Sequence, residues 1–475
     1  MKSIPVFVAA LSLSSVALCQ ETPTEMNAAR QVLTDRDELE KSLNLPALVA
    51  QVTAPEAARD KVVTRTKQLM DTELLAMGDD ITRHPEIGFK ETRSVKILTE
   101  YLVKHGFKVE MPVAGLETAF VARFNGTGNG PTMGLIAEYD ALRGTLGPFH
   151  GDQHSTQGPI SLAAAVAMAE YLRASHAPGN IIVYGTPAEE MMPVVKTIMF
   201  KAGIFDGADV VVRSHSTSTT SRAAPGFGTC CMNIDGVHYI YSGAPAHQLT
   251  SWAGRNALEA VIHLFENVDS VRSSIRPEAR IQGVITEGGS APNVVPDRAV
   301  ANFYIRYPDA IYLAQVREMV DNAAKAAALS TGTQLKIQDD GSDRDGISVA
   351  SLDEVAFVYE KRYGGTAVQD QVSKPSGWEE TGIVSGAIPG VEFSVQTSTA
   401  PNHTYEMEKD ATAEIGHHGF VVDAEAMAAL LYDFDTKPDF RAVVTKEFAA
   451  IKAEFKAYED ALKNAYPLPT VAEPK

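Results

Sequence analysis

Cysteine is nearly missing from this chain, with 3 in 475 residues. One of them, Cys19, lies in the N-terminal stretch; the other two, Cys230 and Cys231, are adjacent, and neighbours in sequence rarely pair without strain. No disulfide framework is available, so the fold must rest on its core. Positive charge is also short. Forty-two Lys and Arg against 60 Asp and Glu leave a net charge of -18, which argues against a nucleic-acid partner because phosphates would be repelled. An anionic substrate would need local arginines to overcome that field. Apolar runs long enough to span a bilayer are missing too, and no integral span is expected. The run in "MKSIPVFVAALSLSSVALCQE" is shorter, follows Lys2 and finishes on small residues, with Ala17 and Cys19 at the cleavage positions. That is how a secretory signal reads. Residues 1–20 are therefore expected to be a signal peptide and the product to be secreted or periplasmic. A lipid anchor is the weaker alternative, because Leu18 makes "VALC" a poor lipoprotein signal.

A hydrophobic content of 45% with 21% charged residues describes a soluble globular protein, and the length implies two or more domains. Residues 22–60 are polar and read as a helical or loose leader. Helix-period runs at 66–82 and 91–105 lead into strand-like "FKVEM" and "TAFVARFNG". Then come "MGLIAEYD", the helix "ISLAAAVAMAEYLRAS", the strand "NIIVYGTPAEE", the helix "VVKTIMFKAGIF" and the strand "ADVVVRSHS". Strands apolar throughout and alternating with helices predict an α/β fold with a buried, largely parallel sheet. Its ligand belongs beyond the carboxyl ends of the strands.

Three strand ends supply chemistry there: Glu138 and Asp140, then Glu189 and Glu190, then His215. The loop "GPFHGDQHSTQGP" (147–159) follows the first of them, and its period-two spacing lets Asp152 and His154 converge on one point. Taken singly, His215 reads as a solvated strand-end histidine and Glu189–Glu190 as carboxylates at a helix N-terminus. Gathered at one sheet edge, Asp152, His154, Glu190 and His215 offer two divalent ions a mixed nitrogen and oxygen set, suited to zinc, manganese or cobalt.

In order, "RHPEIGFKET", "GLIAEYDAL", "HGDQH", "PAEE", "RSH", "GAPAHQ", "GRNALEAV", "GGSAPNVVPDRA", "FYIR" and "PNHTYEM" resemble the metal-dependent amidohydrolases and carboxypeptidases. That family includes aminoacylases, carboxypeptidase G, auxin-conjugate hydrolases and, nearest in texture, the B subunit of p-aminobenzoyl-glutamate hydrolase. The resemblance covers nearly all of the mature chain. It implies a di-zinc peptidase-like catalytic domain at 60–231 and 346–475. The family's ligand loop, usually His-Ala-Cys-Gly-His, matches His150-Gly151-Asp152-Gln153-His154, so Asp152 stands where these relatives have cysteine; carboxylate is a harder ligand that can still bridge two ions. By the same match Glu189 is the general base, and Asp152, His154, Glu190, His215 and His403 are metal ligands. Asp140 and His150 would orient a ligand or the bridging region.

Between 232 and 345 the pattern changes: "MNIDGVHYIYSG" and "RAVANFYIRYP" alternate as half-exposed strands, and 256–275 and 312–329 have helical period. Two helices on an antiparallel sheet predict an inserted α+β unit, which the resemblance makes a lid and homodimerisation domain. There, His247 matches a histidine that stabilises the oxyanion, in some members at the partner's metal site. Asn293 and Arg306 would hold the substrate's carboxylate or carbonyl. In "PSGWEETGIVSGAIPG" (375–390), Gly377 is retained near the substrate position, and Trp378 either stacks on an aromatic acyl group or packs in the core. The expected activity is hydrolysis of the amide bond in N-acyl or N-aroyl amino acids, p-aminobenzoyl-glutamate-like conjugates among them, with two zinc or manganese ions, or cobalt. A second type of subunit is also conceivable. The alternatives are a dipeptidase or carboxypeptidase of the same family, and an exported binding protein without activity.

Overall fold

The computed structural model describes residues 21–229, 232–372, 374–379 and 381–466. The expected signal peptide, the Cys230–Cys231 pair, Glu380 and residues 467–475 lie outside the described residues. Among those described, no helix is long and apolar enough to cross a membrane.

The central sheet has six strands in the order Lys108–Glu110, Phe120–Asn125, Asn180–Gly185, Thr132–Ala137, Val210–Thr217 and Gly390–Gln396. The last four are mutually parallel, and the first two run antiparallel at one edge. Alternate residues feed two cores, as a sheet covered on both faces requires. Leu135, Val183, Val212 and Phe393 pack with the helices His154–Ser175 and Glu414–Thr436. Ile136, Ile182, Tyr184 and Val211 face the other way, against Val195, Met199, Phe205 and Trp378. The largely parallel α/β architecture read from the sequence is therefore present.

The second unit is an antiparallel sheet of four strands, ordered Arg280–Glu287, Arg298–Tyr307, Asn233–Ser242, Gln334–Asp343. Its buried residues pack with the helices Ala257–Arg272 and Ala310–Thr331. The chain enters it after Gly226–Gly228 and leaves through Gly346–Ser348, and these two short strands pair with each other. That ladder forms the hinge. Tyr307 pairs with Asn233 next to the hinge, whereas Arg298 pairs with Ser242 at the far end.

The leader is helical. Thr22 and Glu25 form a reciprocal capping box at the start of Pro23–Leu43, which lies along the C-terminal helix Pro438–Ala465. Its side chains tie the two units together: Arg36 donates to the Pro225 carbonyl and to Glu454, and Glu25 accepts from Arg276 at 2.6 and 2.9 Å and from the Tyr466 hydroxyl at 2.8 Å. Burial alone would raise the Glu25 carboxyl, but these bonds outweigh it and hold it down at about 2.

Candidate metal centre

Because four central strands are parallel, their carboxyl ends open on one edge. The strand Thr132–Ala137 runs into Glu138 and Asp140, Asn180–Gly185 runs into Glu189 and Glu190, and His215 lies near the end of Val210–Thr217. His403 arrives from the loop after Gly390–Gln396, with Cα in the left-handed region at φ 65 and its N–H donating to the Gly151 carbonyl at 3.0 Å.

His154 opens the helix His154–Ser175. Its Nδ1 lies 3.0 Å from Asp140 Oδ1, so this nitrogen keeps its proton and Nε2 is the atom that a cation would bind in place of a proton, the usual arrangement for a histidine ligand. The other oxygen of Asp140 accepts the Glu190 N–H at 3.0 Å. One buried carboxylate thus fixes two elements of the site.

Three groups of side chains bring ligand atoms within 4.8 Å of one another: Asp152 with His154 and His215, Asp152 with Glu190 and His403, and His154 with Glu189 and Glu190. Asp152 joins the first two, as a bridge between two ions must. Asp152 Oδ1, His154 Nε2 and Glu190 Oε1 are buried without hydrogen-bond partners, and orphaned lone pairs converging on one spot are what a cation satisfies. The donor set of carboxylates and imidazoles fits divalent ions.

The electrostatics express the same crowding. Burial pushes Glu190 up to about 8, against the pull of His154. Burial would lower His154, but the Asp140 carboxylate overrides it and raises the imidazole to about 10. His403 rises to about 9 beside Asp152, 2.7 Å away, and that contact holds Asp152 well below the usual carboxylate range despite burial. His150 is in none of the groups; burial pushes it down to about 3, so it stays neutral, while its backbone N–H donates to Glu408.

Beneath the site lies a buried ionic layer of which the sequence reading had only Glu138, as a strand-end carboxylate, and missed the partners Lys196 and Arg213. Glu138, fully buried, receives Lys196 at 2.6 Å and Arg213 at 3.1 Å, and lies 3.9 Å from His154 Nε2. Arg213 interrupts the apolar run "VVVRSH", and an arginine inside a buried strand signals a partner. Glu91, from "RHPEIGFKET", is also buried and accepts the Ala188 N–H at 2.8 Å, propping the turn that carries Glu189.

The remaining expected residues are distributed otherwise. His247 is exposed, caps the short helix Gln248–Ala253 and belongs to no ligand group. Its Nδ1 accepts the Leu249 N–H at 3.2 Å, which leaves Nε2 as the protonated donor facing outward. Asn293 is its neighbour, accepting the Gln248 N–H at 3.1 Å. Arg306, however, pairs with Ile234 beside the hinge, a strand length of about 27 Å from the end near Asn293. The two therefore cannot grip one small substrate molecule from within the same unit. Trp378 requires a correction. It is 1% exposed, packed in the core, and its indole N–H donates to the Ile388 carbonyl at 2.9 Å, so it is not available to stack on an acyl group. Gly377 likewise serves the backbone: at φ +68, a Cβ there would lie 2.6 Å from Ser385 Oγ. Trp378→Ala should therefore cost about 3–5 kcal/mol of stability, read as a lower urea midpoint. A substrate-stacking residue would instead raise KM with the midpoint unmoved.

Comparison with known proteins places this geometry. Residues 232–331 match the family model described as the peptidase dimerisation domain of the M20 type. The Xaa-Arg dipeptidase of Mus musculus is 29% identical over 394 residues, covering 78% of this chain and 88% of that protein. Over most of its length the chain is similar to metal-dependent amidohydrolases and peptidases of the M20 type. The B subunit of p-aminobenzoyl-glutamate hydrolase from Escherichia coli (strain K12) is 31% identical over 280 residues, covering 56% of this chain and 57% of that protein. Among solved structures, a dinuclear metal-binding M20 peptidase from Bacillus subtilis shares the fold, with a TM-score of 0.52 and 18% identity over 77% of this chain and 99% of that one. The likeness to M20 proteins supports a hydrolase with divalent metal ions as cofactors.

Proposed function

We propose that this protein hydrolyses the amide bond of N-acyl or N-aroyl amino acids and related p-aminobenzoyl-glutamate-like conjugates. The reading is carried by Glu189, whose carboxylate groups with His154 and Glu190 without being needed to complete either set that shares Asp152. A carboxylate left over at the edge of a ligand set is placed to handle a proton. Asp152 would bridge, with His154 and His215 on one side and Glu190 and His403 on the other. Two divalent ions held there, zinc or manganese, or cobalt, would polarise the amide carbonyl and ease loss of a proton from water. Glu189 takes that proton as the water oxygen bonds to the carbonyl carbon. His247, which lies in none of the ligand groups of its own chain, would donate from a second copy to the carbonyl oxygen as it gains charge. Glu189 then passes the proton to the nitrogen as the C–N bond breaks, giving a carboxylate and an amine.

The dipeptidase reading keeps the same machinery and is favoured only by the likeness to the Xaa-Arg dipeptidase. The N-terminal sequence supports export to the periplasm or beyond, and the dimerisation-type lid supports a homodimer. The test is to incubate the purified protein with N-acyl amino acids, N-aroyl amino acids and dipeptides, with and without chelator. Chelator-sensitive release of amine, faster from the blocked substrates, is expected. Faster turnover of dipeptides with a free N-terminal amine would transfer the assignment to a dipeptidase, and no turnover with zinc, manganese or cobalt would favour a binding protein.

A further inference from the structure

The segment "PEIGFKE" (85–91) is shaped around a turn far away in sequence. Glu91 is fully buried and stands at the N-cap of the helix Thr92–Lys104, where a carboxylate ordinarily accepts from the first turn. It makes no such bond. Glu86 takes that task instead, accepting the Arg93 and Ser94 N–H groups at 2.9 and 2.8 Å. The Glu91 carboxylate turns inward, where Oε1 accepts the Ala188 N–H and Oε2 the Thr118 hydroxyl, each at 2.8 Å. Burying a carboxylate is costly, so both of its bonds must count.

The turn that receives it is strained. Ala188 has φ 53, in the left-handed region that an alanine leaves readily. Phe89, next to Gly88, is left-handed too, at φ 63. The two segments nearly touch: a Cβ on Gly88 would lie 2.7 Å from the Ala188 Cβ, so only glycine fits there. Strained backbone persists where its surroundings over-determine it, and it gathers at working sites. The same segment is stitched to the neighbouring strand end. Ile87 bridges to Ala141, whose N–H donates to the Glu86 carbonyl at 2.9 Å, and the Thr118 carbonyl accepts the hydroxyl of Tyr139, beside Asp140. Since Asp140 accepts the Glu190 N–H, the backbone on each side of Glu189 is gripped by a different buried carboxylate.

We propose that Glu91 is the positioning residue for the base. Bonded to the Ala188 N–H, it keeps Ala188 left-handed and so sets where the Glu189 carboxylate stands against the ligands of the metal centre. Without that bond a buried N–H is left unsatisfied, Ala188 relaxes and Glu189 is carried with it. This rests on the hydrolase reading above and deepens it with a residue that belongs to none of the ligand groups.

The test compares two variants. Glu91→Leu keeps the bulk and removes both acceptors. Its kcat for an N-benzoyl amino acid should fall about 10–100-fold, with KM within about threefold of wild type and metal content by mass spectrometry unchanged. Glu91→Gln still offers an oxygen to Ala188 and an amide N–H to Thr118, and should recover most of kcat. Lost metal in Glu91→Leu, an unchanged kcat, or a glutamine variant as impaired as the leucine one each overturns the proposal. Should Glu91→Leu not fold, Thr118→Val takes its place. Having lost the bond that aims Glu91, it should lower kcat several-fold with KM and metal kept, and an unchanged kcat overturns the proposal.

Hydrogen exchange at the Ala188 amide, read by mass spectrometry on wild type and both Glu91 variants, needs no turnover. It should quicken on the order of tenfold in Glu91→Leu and stay slow in Glu91→Gln; equal exchange in all three overturns the bond. A wild type that turns over no substrate while showing this pattern overturns the hydrolase reading, and the positioning role with it, but leaves the bond standing.

Discussion

Glu189→Gln should retain its metal ions and lose about 10²–10⁴-fold in kcat. The amide is nearly isosteric with the carboxylate but cannot accept a proton at pH 7, and Glu189 is outside both ligand sets that share Asp152. Metal content by mass spectrometry and kcat for an N-aroyl amino acid are the paired readouts. Activity within a few-fold of wild type would assign the base elsewhere. Loss of both metal and activity would make Glu189 a ligand.

Asp152→Ala should fail differently. Asp152 is common to the sets that would hold the two ions, so its removal leaves two nitrogen ligands on one side and Glu190 with His403 on the other. Metal content should drop to one ion or fewer per chain, with turnover lost to a similar or greater extent. Asp152→Cys is the informative companion. A thiolate can bridge in the same place but is softer, so this variant should regain metal with its preference moved toward zinc and away from manganese. Full metal content in Asp152→Ala would disprove the bridge.

The parallel strands were legible because "MGLIA", "IIVYG" and "VVV" are apolar on both faces, which only a covered sheet tolerates. Strand ends then located Asp140, Glu189, Glu190 and His215 without further information. The edge strand Arg280–Glu287 was not legible: most of "RIQGVITE" is exposed, and a half-paired edge tolerates polar residues that blur the alternation. The helix Glu414–Thr436 escaped for the opposite reason. It is buried nearly all round yet carries Asp423, Asp433 and Asp435, whose partners come from distant segments, as when Arg59 meets Asp433 at 3.0 Å. Lys196 and Arg213, the partners of Glu138, were hidden by the same sequence separation. Trp378 shows a further limit: a buried indole and a stacking indole are the same letter, and only its packing decides.

The bond between Glu25 and Tyr466 has a topological meaning as well. It brings the two ends of the described chain into contact beside the hinge, at a place where neither is needed for chemistry. The order in which the elements follow one another is therefore separable from their arrangement in space. A short linker from residue 466 to residue 21, with new termini opened in the exposed turn at 127–129, would give a circular permutant whose two sheets and candidate metal centre are all made from the same contacts.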